Sequence, residues 1–191
     1  MKNLLYGKNY IYSLTSCALF TALIAIGAQF SIPLPLDMRL TLQMPFVFLC
    51  GIVLGSKRAV VSTSIYLISG IIGLPVFASF SGGPSCVVKP TFGFIIAFIP
   101  AVFVIGLIYE KAKHKNLLIC FSAISAGLII IYIIGILYHF IALTFWMNTP
   151  KNFISLFLGA GYALIIPKDL ISAGFISIII TRITKYKKDI I

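Results

Sequence analysis

Charge is what this chain has least of. Only 10% of its 191 residues are Asp, Glu, Lys or Arg, and four of these are acidic: Asp37, Glu110, Asp169 and Asp189. Among the acids, only Asp169 interrupts an apolar run. A proton-driven carrier needs an ionisable relay inside the membrane, and Asp169 with His139 is thin material for one. His139 itself reads as a hydrogen-bonded packing histidine. There is no GxxxxGK[ST] loop to cradle ATP phosphates. There is no nucleophile elbow and no HExxH pair, which removes the common hydrolase chemistries. The chain therefore reads as a non-enzyme, with no cofactor and no metal. Its four cysteines form no CxxC pair. Cys17, Cys50 and Cys120 sit in apolar runs as small hydrophobes, while Cys86 stands in a polar loop. No polar stretch is longer than a loop, so one transmembrane domain takes up residues 1–191. No internal repeat is visible, and the matched broken helices of inverted-repeat transporters are missing.

Apolar length dominates what remains. Hydrophobic residues make up 60% of the chain, and its mean hydropathy is +1.11. A helix crossing a bilayer needs about 20 mostly apolar residues. The runs predict an all-α integral membrane protein of six transmembrane helices: Ile11 to Phe30, Leu40 to Leu54, Ala59 to Leu74, Pro90 to Tyr109, Leu117 to Trp146 and Pro167 to Lys185. Lys2 and Lys8 precede a run too long for a cleavable signal, so that run is the first span.

The breaks between spans have chemical causes. Pro33 and Pro35 stop the first helix, with Asp37 and Arg39 in the loop. Gly55-Ser56-Lys57-Arg58 makes a basic turn. Pro75 ends the third helix, and Ser81-Gly82-Gly83 has the composition of a flexible lid. Lys111, Lys113, His114 and Lys115 separate the fourth and fifth. The run from Asn148 to Asn152 ends the fifth. Phe153 to Ile166 is too short to span alone, and reads as an interfacial segment or as the start of one long broken helix.

Orientation follows from the bases. Net charge is +11, which in a soluble protein would suggest nucleic acid. Here the bases lie between spans, where they set topology and meet anionic lipid headgroups. Eleven of the 15 Lys and Arg residues fall on one side of the six-span arrangement. The positive-inside rule makes that side, and both termini, cytoplasmic. The chain is thus expected in the plasma membrane of a bacterium.

The outer side carries the specific residues. Gly73 to Phe94 reads GLPVFASFSGGPSCVVKPTFGF, and Ile166 to Phe175 reads IPKDLISAGF. Aromatics (Phe77, Phe92), small hydroxyls (Ser79, Thr91) and the cations Lys89 and Lys168 gather near one acid, Asp169. An apolar pocket with a few placed polar groups is the usual small-ligand site. A lysine holds a carboxylate and an aspartate accepts N–H bonds. Lys89 as a solvated lysine, and Asp169 as a helix cap or a simple ion pair with Lys168, are the plainer alternatives. Asp169 and Lys168 are neighbours on a helix, so their side chains leave it in different directions.

GLPVFA, the SGG loop, KPTFGF and IPxDL, in this order, resemble the BioY family, the biotin-binding S components of energy-coupling factor (ECF) transporters. The upstream IPLPLDMRLTLQMPFVFLCGIVLG resembles that family's IPxP…TLQ…FVxLxGxxLG, through Pro33, Pro35, Thr41, Leu42, Gln43, Gly51 and Gly55. The fourth-helix motif departs from the family's GPTxGY, with Lys89 and Phe94 at its ends. The resemblance covers nearly the whole chain. It implies a six-helix fold with an outward pocket for biotin. It implies Lys89 against the valerate carboxylate, and Asp169 against the ureido N–H groups or another polar group. Phe77, Ser79, Thr91, Phe92, Gln43 and Lys168 complete the implied binding set. Ser172 stands where the family often has lysine.

Ala18 and Ala22 are four apart on the first helix, a spacing that lets helices approach closely. The resemblance implies that they dock a transmembrane coupling subunit, itself driven by two cytosolic ATPases. Three rivals remain open on the sequence: an S component for thiamine or riboflavin, a self-sufficient passive transporter, and a membrane enzyme or scaffold.

Overall fold

A computed structural model of the protein describes residues 2–34, 39–147 and 160–189. Among these are five long helices: α1 (Lys2–Gln29), α2 (Gln43–Ile72), α3 (Phe92–Lys111), α4 (Leu117–Ile141) and α5 (Ala160–Asp189). All five are long and apolar enough to cross a membrane. Their outward side chains are themselves apolar, with Ile72, Leu118 and Ile171 among the most exposed. That surface suits hydrocarbon and would be a liability in water.

α2 is not one straight rod. Gly55 breaks it with φ 76° and ψ 173°, a region open essentially to glycine alone. The two arms, 43–54 and 56–72, fold back on each other: Gln43 Nε2 donates to Tyr66 Oη at 2.6 Å near the open end of the hairpin. At the closed end Cys50 Sγ lies 4.0 Å from the Ala59 carbonyl oxygen. These arms are the second and third helices expected from the sequence. The new second arm begins with unpaired backbone donors. Glu110, near the end of α3, supplies the acceptor: its carboxylate takes the Ser56 N–H at 3.0 Å and the Ser56 hydroxyl at 2.8 Å.

α1 runs parallel to the second arm and is fastened to it by hydroxyls. Thr21 Oγ1 donates to the Ser62 carbonyl at 2.9 Å, and Ser62 Oγ donates to the Cys17 carbonyl at 3.0 Å. Between spans such bonds replace the hydrophobic drive that lipid cannot supply. The first arm, α3 and α4 form the interior, built from Val47, Phe48, Val102, Ile105, Ile124 and Ile131, all 0% exposed. α5 packs mainly against α4.

Several local expectations change. The second helix starts at Gln43, because Arg39–Thr41 is a strand, β2, paired antiparallel with β1 (Ser31–Pro33). Three residues on each side carry too little periodicity to be read as a ribbon. α2 stops at Gly73 rather than Pro75: Gly73 adopts φ 119°, and the Leu74 N–H closes on the Ser69 carbonyl at 3.1 Å. α5 runs straight through Pro167 instead of starting there. A proline removes one donor, which a helix buried among others in a membrane tolerates. Cys86, expected in an open polar loop, is 3% exposed inside the short 3-10 turn Pro84–Val88. The sequence readings at Pro35, Asp37, 148–152 and 153–159 lie outside the described residues.

Candidate binding site

A two-lobed pocket opens at the end of the bundle away from Gly55 and Glu110. Its main lobe is a cavity of about 90 Å3, bounded by Gln43, Thr91, Lys168 and Asp169 from the expected set and by Thr41 beside them. Arg39, Phe94, Tyr132 and Tyr162 join them. A smaller lobe of about 40 Å3 holds Phe77, Lys89 and Phe92. Arg39, Ala78, Thr91 and Ile95 border both lobes.

The main lobe is organised around a buried acid. Asp169 is 0% exposed. Lys168 Nζ lies 2.7 Å from Asp169 Oδ1, and Tyr132 Oη donates to Asp169 Oδ2 at 2.7 Å. Lys168 also donates to the Thr41 carbonyl at 2.7 Å, so one ammonium joins α5 to the strand β2. Neighbouring helical positions do diverge, but four methylenes are long enough to bring the lysine head back to the carboxylate. The ion pair matches the plainer alternative for Asp169, and it still leaves the carboxylate room. Its two oxygens offer about four acceptor sites, of which the Tyr132 hydroxyl uses one, while Oδ1 faces the Lys168 ammonium. Ligand N–H groups can take the rest.

Aromatic walls flank the acid. Phe94 packs edge-on against Tyr132 and tilted against Tyr162, both with ring centroids 6.3 Å apart. Tyr162 Oη in turn meets His139 Nδ1 at 2.8 Å. His139 is 0% exposed, a packed and hydrogen-bonded histidine as expected. A second aromatic row runs Tyr66–Phe77–Phe92–Tyr138, with successive centroids 5.4, 6.2 and 6.2 Å apart. Phe77 is 2% exposed and lies over Gly70, where any Cβ would meet its ring at 2.0 Å. Much of Phe77 is therefore core, with one edge on the smaller lobe.

The loop after α2 forms the roof. Gln29, the last residue of α1, donates to the Val76 and Phe77 carbonyls at 3.3 Å each and accepts the Phe80 N–H at 2.8 Å. Ser79 and Phe80 both take left-handed backbone angles, φ 59° and 54°. Such strain in consecutive non-glycine residues persists only where the surroundings hold it. Ser79 lines neither lobe; its hydroxyl accepts Arg39 Nη1 at 2.5 Å. The Ser81-Gly82-Gly83 turn is tied back through Gly83 N–H to the Gly70 carbonyl at 2.7 Å. Gln43 is buried and bonded to Tyr66 and Thr41, so it supports the lobe wall.

Ala18 and Ala22 lie far along α1 from this pocket, exposed on the outer face of the bundle. Sequence reading missed Arg39, Tyr132, Tyr162 and Gln29. The available signal was polarity inside apolar helices, which marks Tyr132. Arg39 offered none, since a single loop arginine looks like any other.

Most of the chain is matched by a family model and by named relatives. A family model described as the BioY family matches residues 1–189. The biotin transporter BioY of Thermotoga maritima is 39% identical over 172 residues, covering 90% of this chain and 95% of that protein. The probable biotin transporter BioY of Lysinibacillus sphaericus is 40% identical over 146 residues, covering 76% of this chain and 74% of that one. The fold superposes on the crystal structure of the S-component for biotin from an ECF-type ABC transporter. The TM-score is 0.71, with 26% identity and 93% of each chain covered. With a matching model over nearly every residue and relatives near 40% identity across most of their length, this chain belongs to the BioY family.

Proposed function

We propose that this protein is the biotin-capturing S component of an ATP-driven uptake system. The observation that carries the reading is the buried Asp169, held by Lys168 and Tyr132 at the wall of an aromatic pocket with cations at its mouth. A flat cyclic urea offers two N–H donors to such a carboxylate. A carboxylate tail is attracted to the mouth, where Lys89 was the anchor suggested by the sequence. Thr91 and Phe92 lie along the tail's route, and Ser79 acts on it through Arg39.

In this reading both arms of α2 cross the bilayer, giving six passes. The N-terminal end of α1 and the C-terminal end of α5 then lie on the same side. Lys57, Arg58, Lys111, Lys113, Lys115, Arg182 and Lys185 also fall on that side, all exposed. The positive-inside rule makes it cytoplasmic, in the plasma membrane of a bacterium, so the pocket faces outward. Energy comes from partners: a coupling membrane subunit and two ATPases.

Calorimetry on the purified chain in detergent tests the capture reading, with biotin as ligand and thiamine and riboflavin as controls. Biotin alone should bind. Binding of thiamine or riboflavin instead moves the protein to another vitamin, and transport in liposomes without partners or ATP makes it a passive carrier.

The docking reading is separable. Ala22→Leu adds three carbons to an exposed helix face, far from Asp169. It should leave biotin binding unchanged and abolish co-purification with the coupling subunit. Intact co-purification would move the docking surface elsewhere.

A further inference from the structure

Arg39 is the cation best placed to receive the ligand's anionic end. Among the described residues three cations border the two lobes: Arg39, Lys89 and Lys168. Lys168 is already committed to Asp169 and to the Thr41 carbonyl. Lys89 borders only the smaller lobe. Arg39 alone of the three lies on both.

Its mounting is firm on three sides. β2 is paired with β1, Lys168 holds the next-but-one carbonyl, at Thr41, and the Leu42 N–H reaches the Gly27 and Phe30 carbonyls at 3.2 Å each. The guanidinium head is steadied from the roof by Ser79. One of its five N–H donors is spent there, and the planar fork of the others matches a carboxylate in two parallel bonds. Among the described residues one acid, Asp169, lines the lobes against these three cations, an excess of positive charge that an anion offsets.

We infer that Arg39, rather than Lys89, is the residue that selects for a ligand carboxylate, bridging it to Ser79 and so to the strained 78–80 turn. This rests on the biotin reading above. The ring end lies at Asp169 in the main lobe, and the tail ends beneath the guanidinium.

The test compares biotin with biotinamide, whose terminal carboxylate is a neutral amide, on the full chain in detergent. Wild type should prefer biotin by ~10-fold or more, the scale of one charge-assisted paired contact. Arg39→Gln should weaken biotin ~10- to 100-fold and change biotinamide less than ~3-fold, so that the preference disappears. Retained biotinamide binding shows that the variant is folded. Lys89→Ala should cost biotin less than Arg39→Gln does. Equal losses for both ligands in Arg39→Gln would assign the arginine a structural role and overturn the inference. A preference that survives Arg39→Gln, or a larger loss from Lys89→Ala, would overturn it as well. A wild type that binds both ligands equally overturns Arg39 as selector and leaves the biotin reading standing. A wild type that binds neither takes the biotin reading down first.

Discussion

Asp169→Asn is expected to weaken biotin binding by ~100-fold or more, a loss of about 3 kcal/mol or greater. The carboxylate is fully buried, ion-paired with Lys168 through Oδ1 and accepting the Tyr132 hydroxyl at Oδ2. An asparagine keeps the shape and loses half of the accepting edge, so an amide N–H2 faces ligand N–H groups or the Tyr132 hydroxyl. Each hydrogen bond to a charged acceptor is worth about 1.5–3 kcal/mol, and a ring urea makes two. Discrimination at such sites is steep because a buried polar group left unmatched cannot turn to water. The substitution also strands the Lys168 ammonium, which is 21% exposed, without its counter-ion. Removing one partner of a largely buried pair is more damaging than removing both. The double variant Lys168→Met with Asp169→Asn should therefore recover thermal stability lost in the single variant while binding stays weak. Titration and thermal unfolding of both proteins separate the two effects. Full affinity in Asp169→Asn would remove the acid from the site. Tyr132→Phe deletes only one donor to the carboxylate, and should cost about tenfold.

Gly55→Ala carries the second large effect, on folding rather than binding. The glycine sits at φ 76° and ψ 173°, and a Cβ there would come within 1.9 Å of Glu110 Oε1. The backbone strain costs about 1–3 kcal/mol, and the overlap adds about 1–3 kcal/mol more as Glu110 is pushed off the start of the second arm. The expected result is a protein that unfolds at markedly lower temperature in detergent. Gly73 gives a built-in control. It too has positive φ, 119°, but nothing lies within 4 Å of its would-be Cβ. Gly73→Ala should lower the midpoint distinctly less than Gly55→Ala. Equal shifts in the two variants would mean that the contact with Glu110 contributes nothing.

The two effects sit at opposite ends of the bundle, and the division reflects its construction. Gly55, Ser56, Glu110 and the close approach of Gly106 to Ser56 fix how the hairpin closes. Gln29, the β1–β2 ribbon and Lys168 fix how the pocket end is roofed. A stabilised closed end lets the open end carry strain at Ser79 and Phe80, where ligand contact is proposed.

Much of this was determined by the sequence alone, because its signals are local or compositional. Apolar runs long enough for a bilayer can only be helices, since lipid offers the backbone no partners. That placed the long helices, and the Gly55 turn between two short apolar runs marked the hairpin. Asp169 stood out as the one acid inside an apolar run. Motif order gave the family. The tertiary structure alone decided how the polar groups pair. Lys168 reaches Asp169 across a divergence of neighbouring helix positions, through the length and flexibility of its side chain. Tyr132, 37 residues away in sequence, meets the same carboxylate because α4 and α5 lie side by side. Arg39 reaches both lobes because a three-residue strand, too short to leave a periodic trace, turns it over the pocket. Membrane burial is written in composition one residue at a time, whereas a binding site is a set of distances between residues far apart in the chain, fixed only when the helices pack.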